Sequence, residues 1–231
     1  MGERAVVDLH CHTSASFDGT VHPVRVLELA RDRGLTHVAI TDHDTISGAL
    51  EARAARVDGI TLIVGQEVRT TQGDLVLLYL EEPVPSGLSP EETVRRARDQ
   101  GALVGLAHPF DRYRPSIGRG VVRADALTRL ASLADYVEIH NGRVREGIHN
   151  GRAADFARDH RLPYAAASDA HSEIEIGLIA TTFDGRIDSS QDLRAALAGD
   201  VGLRVATRQP AQDPQSWFGR VIEAVRRPSA D

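Results

Sequence analysis

Short β-branched apolar runs alternate with amphipathic segments along most of this 231-residue chain, and that rhythm leaves few architectures open. AVVDLH precedes HPVRVLELARDRG, and HVAITDH precedes SGALEARAARVDG. ITLIVGQEV, DLVLLYL, ALVGLAHP, DYVEIHNG and PYAAASDAH extend the series, with SPEETVRRARDQG, ADALTRLASL and RAADFARDHR as the later helical segments. Val26, Leu29 and Ala30 share one helical face, with Arg25, Glu28 and Arg31 around it. Gly34 and Gly59 follow helical segments, where a left-handed cap favours glycine. Ser89-Pro90-Glu91-Glu92 supplies a cap, a proline at the first position and an acidic first turn. The alternation predicts an α/β fold with a largely parallel sheet and helices outside it, as a barrel or a doubly wound sheet. Neither G-x-G-x-x-G nor a P-loop is present, which argues against a nucleotide-binding Rossmann fold.

Each apolar run ends in a potential metal ligand. The ends are His10 and His12, Thr41-Asp42-His43, Gly65-Gln66-Glu67, Ala107-His108, Glu138-Ile139-His140-Asn141 and Ser168-Asp169-Ala170-His171. In a parallel barrel the C-terminal strand ends converge on one rim, so six such ends in one chain point to a shared site. Alternation along a strand turns His10 and His12 to one face and Cys11 to the other, where a small buried thiol packs between barrel and helices. Imidazoles with carboxylates and no sulfur suit zinc, manganese or iron. His22, His37, His149 and His160 are assigned to helix starts, surface turns or polar helix faces rather than to the site.

A net charge of −6 supplies no overall basic field for a polyanion, so no extended nucleic-acid surface is expected. The single cysteine excludes an internal disulfide and a Cys-rich zinc module. No run approaches the roughly 20 apolar residues of a membrane helix, and no signal peptide is visible, so a cytoplasmic protein is expected. From about Val201 the alternation stops: QPAQDPQ reads as a linker, and SWFGRVIEAVRRP as a short amphipathic helix that packs on the barrel through the only tryptophan. Residues 1–200 are thus expected to form the barrel and 201–231 a C-terminal extension. The sequence gives no oligomeric state.

The set DLHCHT, SFDGT, TDHD, GQE, AHPF, VEIHNGR and SDAH resembles the PHP (polymerase and histidinol phosphatase) family of metal-dependent phosphoesterases, in order over about residues 5 to 200. The resemblance implies a distorted (β/α)7 barrel with divalent metals at its C-terminal rim. It implies one metal site from His10, His12, Glu67 and Asp169, with Glu67 bridging, and a second from Asp18, His43 and His171. His108 with Glu67 would belong to a third. Three-metal members carry a histidine where Val76 stands here, so two metals are expected and the third position stays open. The implied reaction is hydrolysis of a phosphate mono- or diester of a small metabolite, nucleotide or short oligonucleotide by a hydroxide bridging two cations. Asp18, His43, Asp169 and His171 are its catalytic candidates. His108, Asn141 and Arg143 are candidates for holding substrate, Arg143 as a guanidinium clamp on phosphate. Arg112, Arg114 and Arg119, in the loop after His108, rank below Arg143. The ligand set alone does not choose phosphorus over carbonyl, so a C–N or C–O hydrolase is an alternative, as is a catalytically silent metal-binding module.

Overall fold

The computed structural model describes residues 4–116, 124–205 and 220–222. The elements run β1 (Arg4–Asp8), α1 (Pro23–Asp32), β2 (His37–Ile40), α2 (Ser47–Ala55), β3 (Thr61–Thr70), β4 (Gly73–Leu78), α3 (Pro90–Arg98) and β5 (Leu103–Leu106). They continue with α4 (Ala124–Leu133), β6 (Tyr136–Asn141), α5 (Gly147–His160), β7 (Tyr164–Ala167), β8 (Ile179–Asp184), α6 (Ser190–Ala198), β9 (Gly202–Val205) and β10 (Arg220–Ile222). The strands form one sheet in the order β10-β9-β8-β1-β2-β3-β4-β5-β6-β7.

The predicted parallel pairing holds for β1–β2–β3 and β5–β6–β7, but β4 runs against both of its neighbours. Only Thr71 and Gln72 separate β3 from β4, and a parallel crossover needs a dozen residues or more, so a hairpin is forced. β1 and β7 close the barrel without a regular ladder. The Asp169 amide donates to the His10 carbonyl at 2.9 Å and the His12 amide to the Ala170 carbonyl at 2.8 Å. Below that seam β8 wedges in antiparallel to β1, and Thr181 Oγ1 accepts from the Ala166 amide and donates to its carbonyl. The result is a nearly closed, distorted α/β barrel.

Alternation along the strands builds two apolar layers. Val64, Leu75, Leu77, Val104 and Leu106 face the helices together with Cys11, Val26, Leu29 and Ala30. Ile63, Val76, Leu78, Leu103 and Ala107 face inward and plug the barrel with Val7, Leu9, Tyr136 and Phe183. The predicted cap of α3 is present, Ser89 Oγ accepting from the Glu92 amide at 3.2 Å. Gly34 is left-handed after α1 as expected, whereas α2 ends on left-handed Arg56 and Gly59 lies three residues beyond it. Arg220–Ile222, read from the sequence as helical, is instead a strand antiparallel to β9. The rest of that segment and its tryptophan lie outside the described residues. No helix among the described residues is long and apolar enough to cross a membrane.

Candidate metal centre

The regular part of β1 ends at Asp8, and the facing of the chain changes just beyond it. Val7 and Leu9 point into the plug, Cys11 joins the helix-facing layer, and His10 and His12 turn together toward the rim. Asp8 holds this kink: its buried Oδ1 accepts from the Ser168 amide at 3.0 Å and the His10 amide at 3.4 Å. Asp42 ties the next loop to it, accepting from the Thr13 amide and hydroxyl at 2.6 and 2.8 Å. Ser16 Oγ accepts from the His43 amide at 3.0 Å and lies 3.3 Å from His12 Nδ1. Two further candidate ligands, His108 and Asp169, sit at φ +27° and +53°, a left-handed backbone that costs side chains of this kind roughly 1–3 kcal/mol. Strain of this kind gathers at functional sites.

All eight residues expected to bind metal meet at this rim. His10 and His12 bring their Nε2 atoms within 2.9 Å of each other. These nitrogens lie 3.3 and 3.2 Å from Glu67 Oε2, and 3.6 and 3.5 Å from Asp169 Oδ1. His43 spans Glu67 Oε2 at 3.3 Å and Asp18 Oδ2 at 3.4 Å. His171 Nε2 is 3.0 Å from Asp18 Oδ2, and His108 Nε2 is 2.9 Å from Glu67 Oε1. Three groups have donor atoms mutually within 4.8 Å: His12, Asp18, His43 and His171; His10, His12 and Glu67; and Glu67, Asp74 and His108.

The hydrogen-bond chemistry of these groups fits divalent cations. Glu138 Oε1 accepts from His10 Nδ1 at 2.7 Å, and the Asp169 carbonyl accepts from His171 Nδ1 at 2.8 Å. A neutral imidazole with its proton on Nδ1 presents a bare lone pair at Nε2. Those lone pairs aim at carboxylate oxygens, and Asp169 Oδ1 is buried without a hydrogen-bond donor. Acceptors converging on acceptors call for a cation between them. Glu138 behind His10 is the orienting carboxylate usual behind metal-bound histidines.

A family model described as PHP-associated matches residues 147–200. An uncharacterized protein of Methanocaldococcus jannaschii is 34% identical over 157 residues, covering 63% of this chain and 87% of the relative. The chain belongs to the PHP family. A PHP-containing two-domain protein from Bacteroides vulgatus, described as a predicted PHP-like metal-dependent phosphoesterase, superposes with a TM-score of 0.70 at 24% identity. The match covers 87% of this chain and 65% of that one. A 3',5'-nucleoside bisphosphate phosphatase from Chromobacterium violaceum is 34% identical over 120 residues, covering 46% of this chain and 42% of that protein.

Electrostatics in this PHP site favour positive charge. Burial opposes a charge on His10, yet Asp169, Glu138 and Glu67 hold its pKa well above the usual range. Burial likewise opposes charge on His12, but without a metal the neighbouring Asp169 and Glu67 carboxylates hold its pKa at about 9. Burial would raise Glu67 and Asp169, and His10, foremost among their neighbours, keeps both well below the carboxylate range. His171 falls to about 4 through burial and the neighbouring charge of His12.

Three residues do more in the PHP site than the sequence reading assigns to them. Asp74 is buried beside Glu67 and His108, its pKa raised to about 7 by burial and then by Glu67. Glu138 accepts from His10 Nδ1, the His108 amide and Asn141 Nδ2. Arg114, ranked low as a loop arginine, pairs with Asp169 Oδ2 through Nη1, donates from Nε to Asp111 Oδ2 at 2.8 Å, and from Nη2 to Asn141 Oδ1 at 3.2 Å. Asn141 itself is buried, donating to Glu138 Oε2 and Asp169 Oδ2 at 2.9 and 3.0 Å. Arg143 is partly exposed and lies 3.6 Å from Glu175, which accepts from the His171 amide. Arg112 pairs at the surface with Glu146 and lies over the Tyr113 ring, and Arg119 falls outside the described residues. His140 is part-buried and joins none of the three donor groups.

Two histidines set aside from the site occupy other places than expected. His37 is buried at the start of β2, bonded between Thr36 Oγ1 and the Ile187 carbonyl at 2.7 Å each. His149 is buried in α5 rather than on a polar face.

Proposed function

We propose that this chain is a metal-dependent phosphoesterase that hydrolyses a phosphate mono- or diester of a small, base-bearing compound such as a nucleotide. The observation carrying this reading is the convergence of bare imidazole nitrogens and buried carboxylates at one rim, with the Arg114 guanidinium against Asp169. His10, His12, Glu67 and Asp169 would hold one cation, and Asp18, His43 and His171, with His12 beside them, a second. Zinc, manganese or iron suits these donors. Divalent ions there supply charge neutralisation for phosphate oxygens and acidify a nearby water.

The chain's own side chains do the rest. Glu138 and Asn141 fix the orientation of His10 and Asp169. Arg114 offers a planar fork of donors to a phosphate, with Arg143 as a second, more exposed guanidinium. Asp18, the most exposed carboxylate of the set, would help to hold the second cation through Oδ2, 3.0 Å from the His171 imidazole, and leaves its other oxygen to take up the released proton at the mouth. Phe17 is 80% exposed and stacks on the His43 ring at 4.9 Å, giving a planar surface at the mouth of the site. An exposed phenyl there suits a substrate with an aromatic base, and stacking of that kind contributes about 1–3 kcal/mol per base. The similarity to the nucleoside bisphosphate phosphatase agrees with that choice.

The test is phosphate release by manganese-loaded protein from para-nitrophenyl phosphate and from nucleoside monophosphates and bisphosphates. Turnover that depends on added metal and falls on Asp169→Ala is expected. Tight metal binding without turnover of any phosphate ester sinks the proposal and leaves a silent module, while turnover of amides alone moves the chemistry to C–N bonds.

A further inference from the structure

β5 and β6 are parallel neighbours, so the loops that leave them rise side by side at the rim. The loop after β5 carries Arg114, and the loop after β6 carries Arg143 and runs into α5. One hydrogen bond joins these loops across 33 residues of chain, the Tyr113 phenol donating to Glu146 Oε1 at 2.9 Å. Arg112 Nη1 lies 3.7 Å from the same oxygen. The guanidinium carbons of Arg112 and Arg145, one from each loop, lie 4.9 and 5.9 Å from the Tyr113 ring centroid, close enough for cation–π attraction. The other carboxylate oxygen, Glu146 Oε2, faces the buried ring of His149 one turn into α5, 3.4 Å from Nε2.

We infer that Tyr113 and Glu146 form a clasp that aims Arg114 at the substrate phosphate; both are positioning residues that act through the arginine. The inference rests on the phosphoesterase reading proposed above. Arg114 lies between two fixed points of backbone. On one side, the Pro115 carbonyl accepts from the Asp74 amide at 3.1 Å, and Ser116 Oγ lies 3.2 Å from His108 Nδ1. On the other, Asp111 Oδ1 accepts from the Tyr113 amide at 2.8 Å, and the Tyr113 phenol reaches across to Glu146. An arginine side chain has much rotamer freedom to lose, and anchoring its backbone on both sides limits where the guanidinium reaches. Its contacts in the site, Asp169 and Asn141, are themselves bound up with the candidate metal ligands, so they do not fix its aim alone. The fold makes little other use of the pair. Tyr113 is 53% exposed, and Glu146 stands at the N-cap of α5 without a side-chain capping bond. Neither fills the core or caps the helix, so their contact serves the loops.

Steady-state kinetics of the manganese-loaded protein with para-nitrophenyl phosphate test this. Tyr113→Phe removes only the phenol hydrogen bond and should raise KM by about 3- to 10-fold, the worth of one charge-assisted hydrogen bond at a partly exposed site. Its kcat, metal content and circular dichroism should stay those of the unaltered chain. Glu146→Ala should do the same, and the double variant should lose no more than either single one. The Arg114→Met background shows the route: there, Tyr113→Phe should change nothing. Unchanged KM in both single variants overturns the inference. So does an equal rise in KM with and without Arg114, because the pair would then reach the site by another path. Either result leaves a metal-dependent enzyme standing. An unaltered chain that turns over no phosphate ester removes the phosphoesterase reading and the clasp together.

Discussion

Glu138 makes no contact with solvent, yet three parts of the site hang from it. Glu138→Gln keeps its volume but puts an amide where a carboxylate fixes the His10 tautomer. Metal affinity should fall by about 10- to 100-fold, measured by competition with a chelator of known affinity, with little change in the fold. Arg114→Met should raise KM for a phosphate ester and lower kcat/KM by roughly 10- to 100-fold, the worth of charged hydrogen bonds to phosphate. Loss confined to kcat would assign the arginine to holding Asp169 instead. At this scale the sequence was legible wherever a ligand closed a strand. His10, His12, His43, Glu67, His108, Asp169 and His171 all stand at such ends and all arrive at the rim. Asp74 escaped because it lies within a strand that reads as apolar, and Glu138, legible at a strand end, carries no sign in the sequence that it meets His10 Nδ1. Arg114 ranks low in the sequence because a loop arginine carries no signal of what it meets.

Elements were legible in kind and order, less so in direction. The two-residue link between β3 and β4 was present in the sequence as a hairpin signal, and the strand–helix rhythm around it hid the reversal. The wedge of β8 between β1 and β7 carries no sequence mark, because closure runs through backbone groups and Thr181. Glycine supplies one such fit. Gly105 of β5 is paired with Tyr136 of β6, and a Cβ on it would lie 2.3 Å from Tyr136 Cζ. Gly105→Ala should therefore overpack the plug and destabilise the fold by roughly 1–3 kcal/mol, read as a lower urea midpoint at constant slope. The candidate ligands sit above the plug, so the folded variant should keep the metal content of the unaltered chain. Loss of metal without loss of stability would show that the plug shapes the site rather than merely supporting it.

For the molecule as a whole, protons and metal ions compete for the same groups, and pH should separate their contributions. His12 titrates near 6.5 when unfolded and at about 9 in the fold, so its contribution is complete below about 6.5 and is lost as pH rises through 9. Asp8 and Asp74 carry the same sign, because burial lifts them from 3.8 to about 6 and about 7. Their contribution is present below their unfolded value and is lost as pH climbs through those raised ones. Glu67 and Asp169 act the other way, being held well below their ordinary values, and lose their contribution only in acid. The chelator-treated protein should therefore lose stability between pH 6 and 8.5, a window in which these two carboxylates are already ionised. Divalent metal should reverse the trend, since a cation binds the nitrogens only after their protons leave and gains affinity as pH rises. Urea midpoints at both pH values, with chelator and with excess Mn2+, read this directly. A chelated protein as stable at pH 8.5 as at pH 6 would mean that the buried acids and His12 do not carry the protons assigned to them.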